Sequence, residues 1–306
     1  MQVRKSTNVQ GIDVSHHQGV INWAKVAADG INFAYIKATQ SSIDSMFLKN
    51  VAAAKGAGIL VGSYHYLDKS VTTVTLAKAA ANDHYAAIKA AGGVQVFDLP
   101  PALDYEVING ISTAQVNLIA QTFLSEIKRL TGVTPILYTG NSFAEQFDLE
   151  IGKYSLWVAR YGTAVPWDVK GWREWTIWQY SDGSTGGTRS SGSRSVAGIS
   201  GPVDLNEYNG TMAELKAACT KTSGGGDEPV TERDINVVSA WAADNWAEAK
   251  ANGYFDGTRP GAAITREETA MVINKLRNNF LKLIAGNTTQ IADLEKRLQV
   301  IEKESE

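Results

Sequence analysis

Through the first two thirds of the chain, short apolar runs that end on a polar side chain alternate with longer segments of helical character, one alanine-rich and one with apolar residues recurring every three or four positions. The short runs predict strands over 10–15, 33–37, 58–66, 100–107, 135–139 and 156–160. The longer segments predict helices over 23–28, 47–57, 73–91 and 112–131. In the last of these, Val116, Ile119, Ala120, Phe123, Ile127 and Leu130 hold one buried face. Strands alternating with helices at this pace imply βα units around a parallel sheet, and five units in about 150 residues suggest a barrel. After Arg160 the rhythm changes. Residues 175–180 and 203–206 read as strands, but 181–201 is rich in Gly and Ser with no helical pattern. A standard eight-fold barrel takes about 250 residues and only about 215 are available here, so the closing strands are expected to have lost their helices. The predicted fold is a shortened, TIM-like β/α barrel over residues 1–218.

Beyond it, 219–231 (Cys-Thr-Lys-Thr-Ser-Gly-Gly-Gly-Asp-Glu-Pro-Val-Thr) has the composition of a flexible linker. Residues 232–279 read as a small all-α domain: a helix from Trp241, a glycine stop at Gly253, a turn, and a second helix with Thr265 as N-cap and Glu268 as its capping-box partner. From 280 to 306 a C-terminal helix with coiled-coil character is expected. Phe280, Ile284, Asn287, Ile291, Leu294, Leu298 and Ile301 form a heptad seam, and Arg297 can pair with Glu302 across chains. The seam predicts homo-oligomerisation, dimer or trimer, with Gly286 as the place where the helix is expected to break.

The chemistry is concentrated in Pro100-Pro-Ala-Leu-Asp-Tyr-Glu-Val107. Residues two apart in an extended chain share a face, so Asp104 and Glu106 aim into one space. Like charges side by side raise the proton affinity of one partner. Cleavage of a glycosidic bond uses this asymmetry: one carboxyl protonates the leaving oxygen and the other supports charge at the anomeric carbon. In such barrels the working residues sit at the carboxyl ends of strands, which would bring Asp13, His65, Asp104, Glu106, Tyr138 and Asp204 to one rim.

Composition narrows the alternatives. A net charge of −3 argues against nucleic acid as the partner, and no apolar stretch approaches the length of a membrane span. Cys219 is the single cysteine, the four histidines show no His-Glu-x-x-His spacing, and Gly224–Gly226 falls in the linker, not after a strand. No metal and no cofactor are expected. The first ten residues lack the apolar core of a secretory signal, which predicts synthesis in the cytoplasm.

Seven motifs in order, Gly11-Ile-Asp-Val-Ser-His-His-Gln18, Phe33-Ala-Tyr-Ile-Lys-Ala-Thr39, Gly62-Ser-Tyr-His-Tyr66, Leu103-Asp-Tyr-Glu106, Ile136-Leu-Tyr-Thr139, Ile177-Trp-Gln-Tyr180 and Val203-Asp-Leu-Asn206, together resemble glycoside hydrolase family 25, the Chalaropsis-type lysozymes of bacteria and phage endolysins. The resemblance covers residues 9–218. It implies a flattened β/α barrel and an N-acetylmuramidase that cuts the β-1,4 bond between N-acetylmuramic acid and N-acetylglucosamine in peptidoglycan. Glu106 corresponds to the general acid, and Asp104, Asp13 and Asp204 to the other acids of the cleft. Tyr64, His65, Tyr66, Tyr138, Trp178, Gln179 and Tyr180 are the candidate sugar contacts. The chain departs from the family at Gln40-Ser41, where Glu-Gly is usual after Ala-Thr. Residues 241–268 resemble a single S-layer homology repeat, implying a secondary cell-wall polymer as a further partner. A chitinase-like N-acetylglucosaminidase and a non-catalytic wall-glycan-binding protein are the competing readings, and an endolysin reaching the wall after release from the host cytoplasm is the leading one.

Overall fold

The computed structural model describes residues 1–107, 110–184, 194–223, 238, 243–256, 258 and 266–304, and the chain divides into two units, Met1–Gly226 and Asp227–Glu306. In the first unit the elements run β1 (Val9–Val14), α1 (Trp23–Ala28), β2 (Phe33–Thr39), α2 (Phe47–Gly56), β3 (Leu60–Tyr66), α3 (Val74–Ala90), β4 (Ala102–Asp104) and α4 (Thr113–Thr131). They continue with β5 (Ile136–Gly140), β6 (Ser155–Ala159), β7 (Ile177–Ser181), β8 (Asp204–Tyr208) and α5 (Met212–Ser223). Local chemistry sets the helix ends. The side chains of Asn22, Thr73 and Ser112 each accept from a backbone N–H in the first turn of α1, α3 and α4, and Gly132 closes α4 in the left-handed conformation at φ 74°.

The eight strands close a barrel in chain order. Neighbours from β1 to β7 are parallel, whereas β8 runs antiparallel to both β7 and β1. A wholly parallel sheet was the expectation, and the reversal follows from the missing crossover: a parallel return needs a long connection, usually a helix. The loss of helices also begins earlier than composition suggests. After β5 the chain makes only two 3₁₀ turns, Phe143–Gln146 and Ile151–Lys153, before β6.

Alternation along the strands divides the apolar residues into two layers. Phe33, Tyr35, Tyr64, Ala102, Ile136, Tyr138, Trp157 and Ile177 fill the barrel interior. Ile12, Ile36, Val61, Leu103, Leu137, Val158 and Leu205 face outward and pack with residues of the helices, such as Val51, Ala81 and Phe123. The interior tolerates bulky rings because Gly11 and Gly62 leave room: a Cβ on Gly11 would stand 2.3 Å from the Phe33 ring, and one on Gly62 2.4 Å from Tyr35. Leu215 and Cys219 of α5 join this inner cluster and are buried. The linker expected from residue 219 therefore does not begin there, since Cys219 belongs to a packed helix that runs to Ser223.

In the second unit, α6 (Ala243–Ala251) stops at Gly253, φ 69°, and Trp246 stacks on Phe255 at 5.1 Å. Helix α7 (Arg266–Glu304) is continuous over 39 residues, with no break at Gly286 and no boundary at 280. Trp241, Thr265 and its cap to Glu268 lie outside the described residues. No described helix is long and apolar enough to cross a membrane.

Candidate active site

The polar ends of the inward-facing positions meet at one rim. Asp13 lies on β1, Lys37 on β2, Tyr64 and Tyr66 on β3, Asp104 on β4, Tyr138 on β5 and Gln179 on β7. Because β8 is reversed, its first residue, Asp204, stands beside Asp13 in the ladder, and Asn206 follows two positions deeper. A buried chain of hydrogen bonds ties these together. The Tyr138 hydroxyl donates to Gln179 Oε1 at 2.9 Å, and Gln179 Nε2 and Asn206 Nδ2 both donate to Asp13 Oδ2 at 2.8 Å. Trp157 Nε1 in turn donates to Asn206 Oδ1 at 2.8 Å. Both amides are thereby oriented with their N–H groups toward Asp13.

Burial raises the pKa of Asp13 to about 6, against the pull of the donors from Asn206 and Gln179. Asp204 is raised further, to about 9. Burial and the charges of Asp13, Asp182 and Glu106 raise its proton affinity, and it donates to Asp13. Of the two, Asp204 binds its proton the more tightly. Asp104 is also pushed well above the usual carboxylate range, first by burial and then by the charges of Glu106 and Asp13. Its Oδ1 is buried and has no hydrogen-bond partner.

Glu106 lies two residues past the end of β4, yet the alternation persists. Tyr105 turns outward against Phe143 and Phe147, and Glu106 returns to the cleft, exposed at the rim. Desolvation by the surrounding walls, and then the charge of Asp13, raise its proton affinity; Lys37 opposes both. Lys37 is the cation set against this acid cluster. Its Nζ donates to Gln40 Oε1 at 2.8 Å and lies 4.8 Å from the centre of the Tyr66 ring. Gln40 Nε2 donates to Asp68 Oδ2 at 3.0 Å. A glutamate at position 40 would bring a second carboxylate against Asp68, so the amide suits this chain. Since Lys37 lowers the proton affinity of both Asp104 and Glu106, Lys37→Met is expected to move both limbs of the pH–rate profile to higher pH. An unshifted profile at retained activity would remove Lys37 from the electrostatics of the cleft.

Of the proposed sugar contacts, Tyr64, Tyr66, Tyr138 and Gln179 lie on the inner face, and His65, Trp178 and Tyr180 do not. His65 follows Tyr64 and so points outward. It is wholly buried against Phe123 at 5.1 Å, bonded through Nδ1 to Thr39 Oγ1 at 2.7 Å, and burial pushes its pKa down to about 3, so it is neutral. Trp178 and Tyr180 flank Gln179 and face the other way for the same reason. The indole of Trp178 donates to the Arg160 carbonyl, the Tyr180 hydroxyl donates to Gln10 Oε1, and Arg4 covers both rings. All three are wall residues, not cleft residues. Sequence reasoning in turn passed over Lys37, Trp157 and Asn206. Counting in twos from Tyr35, and from Asp204, places Lys37 and Asn206 on the inner face.

The sequence profile described as Glycosyl hydrolases family 25 matches residues 12–187. Lysozyme M1 of Streptomyces globisporus is 34% identical over 230 residues, covering 71% of this chain and 74% of that protein. The N,O-diacetylmuramidase of a Chalaropsis species is 29% identical over 197 residues, 57% of this chain and 88% of its own length. Among solved structures, the bacterial lysozyme of Streptomyces coelicolor superposes with a TM-score of 0.59 at 33% identity, covering 71% of this chain and all of that one. A profile match over more than half the chain, with relatives and a solved fold alike over 71% of it, leads to one conclusion: this protein belongs to the family 25 glycosyl hydrolases and is a glycoside hydrolase.

Proposed function

We propose that the protein is an endolysin, an N-acetylmuramidase that hydrolyses the β-1,4 bond between N-acetylmuramic acid and N-acetylglucosamine in bacterial peptidoglycan. The observation that supports this reading best is the pairing of Asp104 and Glu106: a buried carboxyl with an unpartnered Oδ1 beneath a second, exposed acid of raised proton affinity. An N-acetyl sugar supplies the group that Oδ1 lacks. Its amide N–H, donated to Asp104, favours the ionised carboxylate there and turns the acetyl oxygen toward the anomeric carbon. Glu106 protonates the leaving oxygen as the glycosidic C–O bond breaks and the acetyl oxygen forms the new bond to carbon. Glu106 then takes a proton from the incoming water, which opens that bond and returns the acetyl group. Asp13 and its partner Asp204 stabilise positive charge at the ring, and Tyr64, Tyr66 and Tyr138 offer faces and hydroxyls to the sugars.

The tail is assigned the role of attachment to a secondary cell-wall polymer, on the likeness of residues 241–268 to an S-layer homology repeat. The protein would be made in the host cytoplasm and act on the wall after release. Digestion of purified Gram-positive peptidoglycan, with fragments reduced by borohydride and weighed by mass spectrometry, tests the activity. New reducing ends on N-acetylmuramic acid are expected. Reducing ends on N-acetylglucosamine would replace the reading with a glucosaminidase, and binding without fragments would replace it with a glycan-binding protein.

A further inference from the structure

We propose that α7 pairs with α7 of a second copy of this chain, parallel and in register, along a stripe from Ile273 to Ile301. Nine positions define the stripe: Ile273, Leu276, Phe280, Ile284, Asn287, Ile291, Leu294, Leu298 and Ile301, with spacings of 3, 4, 4, 3, 4, 3, 4 and 3. Eight of them are large apolar residues, each at least 50% exposed. The alternation of three and four is that of a left-handed coiled-coil seam, and the two consecutive fours at Phe280 are a single stutter, which unwinds the supercoil locally without breaking it. Because α7 is unbroken at Gly286, the stripe begins inside the segment assigned to the all-α domain and is about 42 Å long at 1.5 Å per residue.

Three features select an identical helix as the occupant. First, Asn287 interrupts the stripe with a carboxamide, which has both donor and acceptor. Only a partner with an amide at the same height satisfies both, and a parallel, in-register copy supplies it. Second, with Leu298 and Ile291 at position a, Gln290 falls at g and Glu295 at the e position that faces it between parallel chains, whereas an antiparallel pair sets Glu295 against its own kind. Third, eight half-exposed aliphatic and aromatic side chains per helix bury roughly 1,600 Å² across a pair, the area of a stable interface.

Light scattering on the full chain at tens of micromolar should give a mass at least twice that of one chain. Leu294→Cys places a thiol at a d position, where two parallel copies bring their Cβ atoms within reach of a disulfide. Mild oxidation should then yield a cross-linked band on a non-reducing gel. The native Cys219 is buried in the barrel, and the unsubstituted chain serves as the control. The double variant Leu294→Asp/Leu298→Asp should fall to the mass of one chain, with the barrel's near-ultraviolet circular dichroism unchanged. A wild-type monomer, an oligomer that Leu294→Cys fails to cross-link, or an oligomer that survives the double substitution would each overturn the proposal.

Discussion

Replacing Glu106 with glutamine is expected to cut release of peptidoglycan fragments by roughly a thousandfold, the scale at which a positioned general acid contributes. Glutamine keeps the shape of the side chain and its reach over the rim but carries no exchangeable acidic proton. The residue is exposed and two positions past β4, so the barrel should fold as before. The substitution also removes the charge that ranks next after burial in raising Asp104. In Glu106→Gln that carboxyl should ionise at lower pH than in the wild type. A residual rate above a tenth of normal would move the acid's role to another carboxyl of the cleft.

Asp104→Asn should reduce hydrolysis at least a hundredfold and, in the same protein, raise its stability at neutral pH. The sign follows from the direction of the shift. Asp104 binds its proton more tightly in the folded chain than in the unfolded one, where 3.8 is the ordinary value. Its contribution to stability is therefore fully present below about pH 3.8 and is lost as the pH rises through the raised value. An asparagine has no such dependence. Thermal melts of variant and wild type should coincide near pH 3.5 and diverge steadily toward pH 7, with the variant melting higher. Equal melting temperatures at pH 7 would mean that the buried carboxyl is better solvated than its unpartnered oxygen implies. Loss of activity with gain of stability is what a site built from crowded acids predicts, since the crowding that tunes the protons is itself unfavourable.

Much of the barrel was legible because its signals are local. Among the helices before β5, α4 announces itself by periodicity and α3 by its alanine content. Asp104 and Glu106 were found by the same kind of reasoning, because period-two alternation survives past the last ladder residue. What was misread depends on partners remote in sequence. The direction of β8 is fixed by hydrogen bonds to β1 and β7, not by anything in Val203-Asp-Leu-Asn206. Cys219 looked like linker because its neighbours are polar, yet one face of α5 needs only Leu215 and Cys219 to close the barrel's inner cluster.

The errors over His65, Trp178 and Tyr180 are of another kind, because residue type was allowed to outweigh parity. An aromatic or imidazole next to an inward-facing residue in a strand must face away from the cleft, and the inward positions of Tyr64 and Gln179 fix which positions those are. Gly286 shows the converse. A single glycine costs a helix about 1 kcal/mol, which 39 residues of propagated hydrogen bonding absorb.

The reversed closing strand also dictates when in its synthesis the molecule can become an enzyme. Asp13 emerges from the ribosome early, but the Asn206 that orients it lies 193 residues downstream. Until β8 arrives, β1 and β7 are two open sheet edges and Glu106 is already present in a cleft that has no far wall. The final seam is thus the slowest kind of contact for a chain to find, and the one whose absence leaves the most edge exposed to other chains. Nascent or truncated forms ending before Asp204 would be catalytically silent and prone to aggregation, so activity is withheld until the barrel has been made in full.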